Sequence, residues 1–226
     1  MVYTVNLGHY DTIKKIPKQI GYDYFLFTDL NKSVFNDTNW TIISIPKIVE
    51  NLNVSIIKKQ RFIKTHPHLF FPNYDISIYI DGIYTVDGDL NEFLLRILTL
   101  PLNIYTLEHP SRNSIRQELL AVKKLKKDNK SNIIRLRNRY NKSKFSDRNG
   151  LIESCLIIRK HNDKNCINIM EEWFDEIKKY SHRDQLTFNY IIWKKKIKIK
   201  YLPKNLFFQY FSQAGFHKKK LIFKRQ

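Results

Sequence analysis

The sequence predicts an α/β fold with a mixed central sheet, on three observations. Short runs rich in β-branched and aromatic residues alternate with longer stretches of helical period. The clearest short run, Tyr74-Asp75-Ile76-Ser77-Ile78-Tyr79-Ile80-Asp81-Gly82, stops abruptly at a carboxylate and a glycine. Two further strand ends carry polar pairs, Thr28-Asp29 and Glu153-Ser154. Polar groups at strand ends mark the crevice where open α/β sheets bind ligands.

Taken in order, Met1 to Leu7 reads as a first strand rather than a signal peptide, because Gly8 and polar residues follow so soon. Asp23 to Asp29 is the second strand. Trp40 to Ile45 is the third, closed by Pro46. From Asn53 to Thr65, apolar Val54, Ile57, Phe62 and Ile63 are mixed with Lys58, Lys59, Arg61 and Lys64, a basic amphipathic helix stopped by His66-Pro67. The strand ending at Asp81 follows. Val86 to Phe93 reads as a turn and a capped helix start, with the helix running from Leu90 to Thr99. Asn103 to Leu107 is a short strand and Ser114 to Lys126 a helix. The polar stretch from Asn129 to Gly150 holds only short helical pieces. Ile152 to Arg159 is a strand. Asn162 to Tyr180 is a helix with Ile167, Met170, Trp173, Phe174 and Ile177 on one face. Arg183 to Trp193 is a helix and Ile197 to Leu202 a last strand. No repeat or linker interrupts this alternation, so residues 1–226 read as one domain.

Composition narrows the function. A hydrophobic content of 42% fits a globular chain and not a disordered one. No stretch approaches the roughly 18 apolar residues of a membrane span. Cys155 and Cys166 have no metal-binding spacing, as in a reduced, cytoplasmic protein. The net charge of +19 suits an anionic partner. Part of it is compositional, because Lys, Asn and Ile, all with A/T-rich codons, are abundant throughout. Cations cluster at Lys123 to Lys130 and at Lys194, Lys195, Lys196, Lys198 and Lys200. The first cluster reads as a solvated helix face. No aromatic residues interleave with cations in a nucleic-acid motif, which speaks against nucleic acid as partner.

Four constellations can carry chemistry. Asp81 ends its strand, and Gly82 lets the backbone approach a ligand. Arg61 and Lys64, three apart and so on one helix face, suit a phosphorylated ligand; an ordinary salt-bridged helix explains them equally. His109-Pro110-Ser111-Arg112 joins a strand to a helix start, where an anion or hydroxyl can bind, or forms a plain polar loop. Ser181-His182-Arg183-Asp184-Gln185 opens a helix. Ser181 can cap and Asp184 suits the first turn, or Asp184 and Gln185 accept hydrogen bonds from substrate hydroxyls. No Ser-His-Asp set, HExxH motif or P-loop is visible.

These segments resemble one family. Phe27-Thr28-Asp29, Arg61-x-x-Lys64 with His66-Pro67, the Tyr74–Gly82 run and His109-x-x-Arg112 follow its pattern. So do Gly150-Leu151-x-Glu153 through Arg159-x-His161-Asn162, and Arg183-Asp184-Gln185-Leu186 through Trp193-Lys194. It is the glycosyltransferase-like family that includes a plant seed-mucilage protein and a plant protein described as an alkaline ceramidase. More distantly, the order resembles GT-A sugar transferases related to glycogenin. Their Tyr-x-Asp-x-Asp strand is similar to Tyr79-Ile80-Asp81-Gly82-Ile83, and their DQxxxN helix to Asp184-Gln185 through Asn189. Leu151 to Cys155 resembles a further strand. The terminal His-x-x-Gly-x-x-Lys is matched by Gly215 and Lys218 only.

The resemblance implies a GT-A-like (Rossmann-like) domain and a glycosyltransferase that uses a nucleotide-sugar donor, a UDP-sugar above all, on a glycan, protein or lipid acceptor. Thr28, Asp29, Arg61, Lys64, Asp81 and Lys218 would bind the nucleotide. Asp184, Gln185, Glu153 and His109 would be catalytic. Arg112, Ser154 and Arg183 would face sugar or acceptor. Ile83 and Ser212 stand where the family pattern has metal ligands. A divalent cation, Mn or Mg, would rest on Asp81 with His217 or Asp29 helping, completed by the diphosphate; otherwise Arg61, Lys64 and Lys218 take its place. Kinship with glycogenin-like enzymes leans towards retention, whereas Asp184 as a general base would mean inversion. The competing readings are a lipid amidase and a non-catalytic basic module for nucleic acid or anionic lipid.

Overall fold

The computed structural model describes residues 1–98, 104–148, 150–197, 199 and 201–218. A seven-stranded mixed sheet forms its centre, in the order β3-β2-β1-β4-β7-β6-β8. These strands are β1 (Val2–Asn6), β2 (Tyr24–Thr28), β3 (Thr41–Ser44), β4 (Ser77–Ile80), β6 (Ile104–Glu108), β7 (Ile152–Arg159) and β8 (Tyr201–Leu202). The first four run parallel, and β7 is antiparallel to both β4 and β6. From β1 the chain builds outward to β2 and β3, then returns to lay β4 on β1's other side. The strand order reverses between β1 and β4, and in open α/β sheets the C-terminal edge at such a switch point is where ligands bind. Because β7 is antiparallel, its start lies at that same edge, as does the end of β6.

Alternation along β4 sends its residues into two cores. Tyr79 enters a cluster with Tyr3, Ile63, Trp173 and Leu186. Ile78 and Ile80 enter another with Phe93, Phe207 and Phe211. The first core is covered by α2 (Ile56–Thr65), α4 (Ile115–Lys124), α5 (Lys130–Lys142), α6 (Lys164–Lys179) and α7 (Gln185–Lys194). The second lies under α3 (Leu90–Ile97) and α8 (Lys204–Tyr210). The remaining elements are α1 (Lys47–Glu50), two short 3-10 turns at Lys32–Phe35 and Pro67–Leu69, and a two-stranded ribbon of β5 (Tyr84–Val86) with β9 (Phe211–Gln213).

The structure departs from the sequence reading in places. The expected short pieces after Asn129 are one helix, α5, of 13 residues. Its buried stripe is only Ile133, Leu136 and Tyr140, and the rest of its surface is polar apart from exposed Ile134. The basic helix begins at Ile56, after a Ser55 N-cap, and not at Asn53. Val86, read as the start of a turn, ends a strand, Tyr84–Val86, that pairs with β9 far along the chain. Of the strand expected over Ile197 to Leu202, the described part is β8 at Tyr201–Leu202, and β9 follows it in the chain. Thr99, Asn103, Lys198 and Lys200, read as the ends of elements or as part of a basic cluster, lie outside the described residues.

Candidate functional site at the sheet edge

Asp81 follows β4 at the switch point, where its amide donates to Cys155 O at 2.9 Å. Its side chain is 28% exposed. Oδ1 accepts a hydrogen bond from Tyr79 at 2.8 Å and stands 3.8 Å from Lys64 Nζ. Tyr79 is buried, and burial together with the Asp81 charge raises its phenol pKa well above 10, so it stays a donor.

Behind Asp81 lies a buried charge cluster. Lys64 Nζ donates to Asp184 Oδ2 at 2.8 Å and to Ser154 Oγ at 3.1 Å, and sits 4.7 Å from the centre of the Tyr79 ring. Ser154 donates in turn to Asp184 Oδ2 at 3.0 Å, and Arg61 Nε stands 3.3 Å from the same oxygen. Asp184 also caps α7, accepting from the Gln185 amide at 3.1 Å. Burial alone would raise its pKa. Arg61 and Lys64 outweigh that and hold the carboxyl well below the usual carboxylate range. Burial acts on Arg61 in the opposite sense, and Asp184, Tyr79 and Asp81 overcome it, so the guanidinium is held charged. Two cations therefore meet two carboxylates.

The backbone explains how Ser154 arrives there. Thr106 pairs with Ile157, but the next residue, Leu107, pairs with Glu153. Residues 154–156 thus bulge from the β6 ladder, and Thr106 Oγ1 bridges the gap to Glu153 O at 3.3 Å and Leu156 O at 2.9 Å. The bulge leaves Ser154 and Cys155 to meet Lys64 and Asp81.

Further along the edge, His109 Nδ1 accepts from the amides of Ser111 and Arg112, both at 3.2 Å. Burial and the neighbouring Arg112 push its pKa down to about 4, so the ring is neutral. Arg112 is paired with buried Glu118. Glu153 lies 3.3 Å from Lys204 Nζ, and Gln185 Nε2 donates to Ile152 O at 3.1 Å. The Arg183 amide bonds Ser181 Oγ at 3.0 Å, while its side-chain Nε is buried without a hydrogen bond.

On the β1–β2 side, buried Thr28 accepts from the Leu30 amide at 3.2 Å. Asp29 receives the Gly8 amide on both oxygens, at 2.9 and 2.8 Å, and so fixes the loop after β1. That loop is closed by Asn6, which exchanges two 3.0 Å hydrogen bonds with the Asp11 backbone. The Asp11 side chain, 3% exposed, contacts His217 at 2.6 Å. Lys218 Nζ contacts His9.

Five of the sequence-predicted residues thus form one connected group: Arg61, Lys64, Asp81, Ser154 and Asp184. His109 with Arg112, Glu153, Gln185 and Arg183 line the same edge in other contacts. Arg61 and Lys64, expected to meet a diphosphate directly, share their charge with Asp184. His217 bonds Asp11, and Asp29 holds the loop after β1. Among the described residues no three His, Cys, Asp or Glu are grouped to hold a metal ion, so the donor set does not fit a cation held by the protein alone. Sequence reasoning missed Asp11, Lys204 and Tyr79. The signal for Asp11 is its place in the first loop at the strands' C-terminal edge, after Asn6-Leu7-Gly8.

Residues 27–219 match the TOD1/MUCI70 glycosyltransferase-like domain, and the chain belongs to that family. Membership supports a glycosyltransferase. The fold is similar to mouse xyloside xylosyltransferase 1, at a TM-score of 0.54 and 9% identity over 89% of this chain and 84% of that one. It also matches the WbbM bifunctional glycosyltransferase, at a TM-score of 0.48 and 13% identity over 89% of this chain. The chain spans only 38% of that structure's length. The shared architecture is GT-A. No curated protein matches in sequence. No described helix is long and apolar enough to cross a membrane.

Proposed function

We propose that the protein transfers a sugar from a nucleotide-sugar donor, a UDP-sugar, to an acceptor bound along the edge of β6 and β7. The observation that carries this reading is Asp81: a partly exposed carboxylate at the β1–β4 switch point, fixed from behind by Tyr79 and a buried cluster. The nucleotide lies over Thr28 and the loop that Asp29 fixes. Asp81 accepts from ribose or sugar hydroxyls. Charge on the departing diphosphate is met by the outer face of Arg61 and by Lys218 at the crevice mouth. His109, Glu153, Gln185, Arg112 and Arg183 face sugar and acceptor.

In this reading Asp184 is a positioning residue and not a general base. A carboxylate held far below its usual pKa has little proton affinity, and its Oδ2 is already shared among Lys64, Ser154 and Arg61. It positions Lys64, and through Lys64 the Asp81 carboxylate. This favours retention over an inverting reaction based on Asp184.

Titration calorimetry against a panel of nucleoside diphosphates and nucleotide sugars tests the proposal. Binding of a uridine diphosphate sugar that is lost in Asp81→Ala is the expected result. An intact protein that binds none of the panel overturns it.

A further inference from the structure

The hairpin of α4 and α5 is the largest feature that this chemistry leaves unused. Residues 123–148 hold 11 of the chain's 40 Lys and Arg but only 2 of its 21 Asp and Glu. Both acids are committed to the fold. Asp128 accepts from the Asn129 amide at 2.7 Å, from Asn132 Nδ2 at 2.9 Å and from Ser181, and lies 3.7 Å from His182. Asp147 caps α4 through the amides of Ile115 and Arg116 at 2.9 and 2.7 Å. The outer surface therefore carries exposed cations, Lys123, Lys124, Lys130, Arg137 and Lys142 among them, with no acid between them.

Large aliphatic side chains stand among those cations. Leu120 is 68% exposed, Leu125 58% and Ile134 51%. On α4, Leu119 and Val122 face the core, while Leu120 shares the outer face with Arg116, Lys123 and Lys124. A purely solvated basic face has no use for them. The hairpin's aromatic residues point the other way: Tyr140 is 2% exposed and Phe145 3%. Binding of single-stranded nucleic acid uses exposed rings as stacking platforms, and none is offered here. Cations interleaved with exposed aliphatics are what the interface of an anionic bilayer accepts, the cations at headgroup phosphates and carboxylates and the aliphatics just beneath.

We propose that the α4–α5 hairpin docks the protein peripherally on an anionic lipid surface, with Leu120, Leu125 and Ile134 inserted among the headgroups. Asp128 ties the turn of the hairpin to Ser181 and His182, which directly precede Arg183 and Asp184. Docking therefore holds the acceptor side of the sheet edge close to the membrane. The binding does not depend on the transferase reading and can stand or fall alone.

Vesicle flotation tests this, with phosphatidylcholine alone and with about 3:1 phosphatidylcholine to phosphatidylserine. The expected result is binding to the mixed vesicles only, weakening as salt rises. The triple variant Leu120→Gln, Leu125→Gln, Ile134→Gln changes exposed positions, and circular dichroism confirms its fold. Its partition should drop about tenfold or more. Each of Lys123→Gln and Arg137→Gln should cost about fivefold. Absence of binding to the mixed vesicles at low salt overturns the proposal. So does binding that the triple Gln variant leaves unchanged, which would mean adsorption by charge alone. A short single-stranded RNA that binds more tightly than the vesicles, with the Gln variant unaffected, would identify a nucleic-acid surface instead and overturn it as well.

Discussion

Lys64 and Asp184 form a buried ion pair at 2.8 Å, with side-chain exposures of 1% and 6%, that joins α2 to the start of α7 through Ser154 of β7. Breaking such a pair leaves a charge in the interior without its partner, which costs far more than the intact pair gives. Asp184→Asn should lose about 3 kcal/mol, a fall in Tm of about 6–12 °C. Adding Lys64→Met removes the stranded charge, so the double variant should be more stable than Asp184→Asn by about 1 kcal/mol or more. Thermal unfolding of the three proteins measures this. A catalytic base placed there for its chemistry alone would instead show lost turnover at unchanged Tm.

Acid should unfold the protein early. Burial lowers His66 and His161 to about 4, and both are nearly inaccessible. Their folded pKa values lie below the unfolded value of 6.5, so the unfolded chain takes up protons first and stability falls as the pH drops from 6.5 towards 4. Each neutral histidine contributes a slope of about 1.4 kcal/mol per pH unit within that window. His161→Gln should flatten the urea midpoint against pH between 6 and 4.5. An unchanged slope would refute the assignment.

Much of the fold was legible because local pattern and tertiary role agree. Ile78, Tyr79 and Ile80 alternate between the two cores as a strand buried on both faces must. Of the expected stripe, Met170, Trp173, Phe174 and Ile177 are buried and Ile167 is half-buried. Features made by distant partners were not legible. β5 is three residues long and has meaning only against β9. Asp11 gains its role from a residue 206 positions away. At the site, the residue types were readable but not their pairing. Arg61 and Lys64 read as cations for a ligand because nothing local showed that Asp184, 120 residues beyond Lys64, already balances them.

The segment after β9 straps the loop after β1. Ala214 and Gly215 donate to Ile83 O, both at 2.9 Å, Thr12 N donates to Phe216 O at 3.1 Å, and Lys218 N to Tyr10 O at 2.8 Å. Its hydrogen bond to Asp11 raises the His217 pKa above 6.5, against partial burial, and Asp81 adds to the rise. Burial, with Asp81 nearby, raises Asp11. A raised histidine stabilises fully below its unfolded pKa and loses this as pH rises through the folded value. The latch is therefore strongest between the raised Asp11 value and the raised His217 value, and weakens as pH rises through the latter. The His217 ring protons should titrate above 6.5 by NMR and return to the ordinary value in Asp11→Asn. Gly215→Ala, whose Cβ would overlap Thr12 O, should release the strap and expose the loop to hydrogen exchange without global unfolding.

The free protein should show no structural metal. His217 is taken up by Asp11, and no three suitable ligands converge among the described residues. A metal that bound the folded protein tightly would stabilise it by mass action. Chelator should therefore leave Tm unchanged, and calorimetric titration with Mn or Mg alone should reveal no site tighter than about millimolar, near 4 kcal/mol. A chelator-dependent fall in Tm would show a ligand set formed outside these contacts.

Asp81 and Asp184 should respond to the same substitution in opposite ways. Asp81 is 28% exposed and accepts from Tyr79, and an asparagine carbonyl can accept the same hydrogen bond. Lys64 is 3.8 Å from Asp81 but only 2.8 Å from Asp184, so it stays neutralised when Asp81 loses its charge. Asp81→Asn should then change stability by less than about 1 kcal/mol. Its charge is what the proposed donor site would lose, so transfer should fall by about two orders of magnitude in kcat/KM. Asp184→Asn should lose stability first, and activity in proportion to the fraction unfolded together with any drift of Lys64. Measuring Tm and kcat/KM on both variants separates the carboxylate that meets substrate from the one that holds the site. If Asp81→Asn keeps full turnover, the crevice at the β1–β4 switch point is not where the reaction occurs.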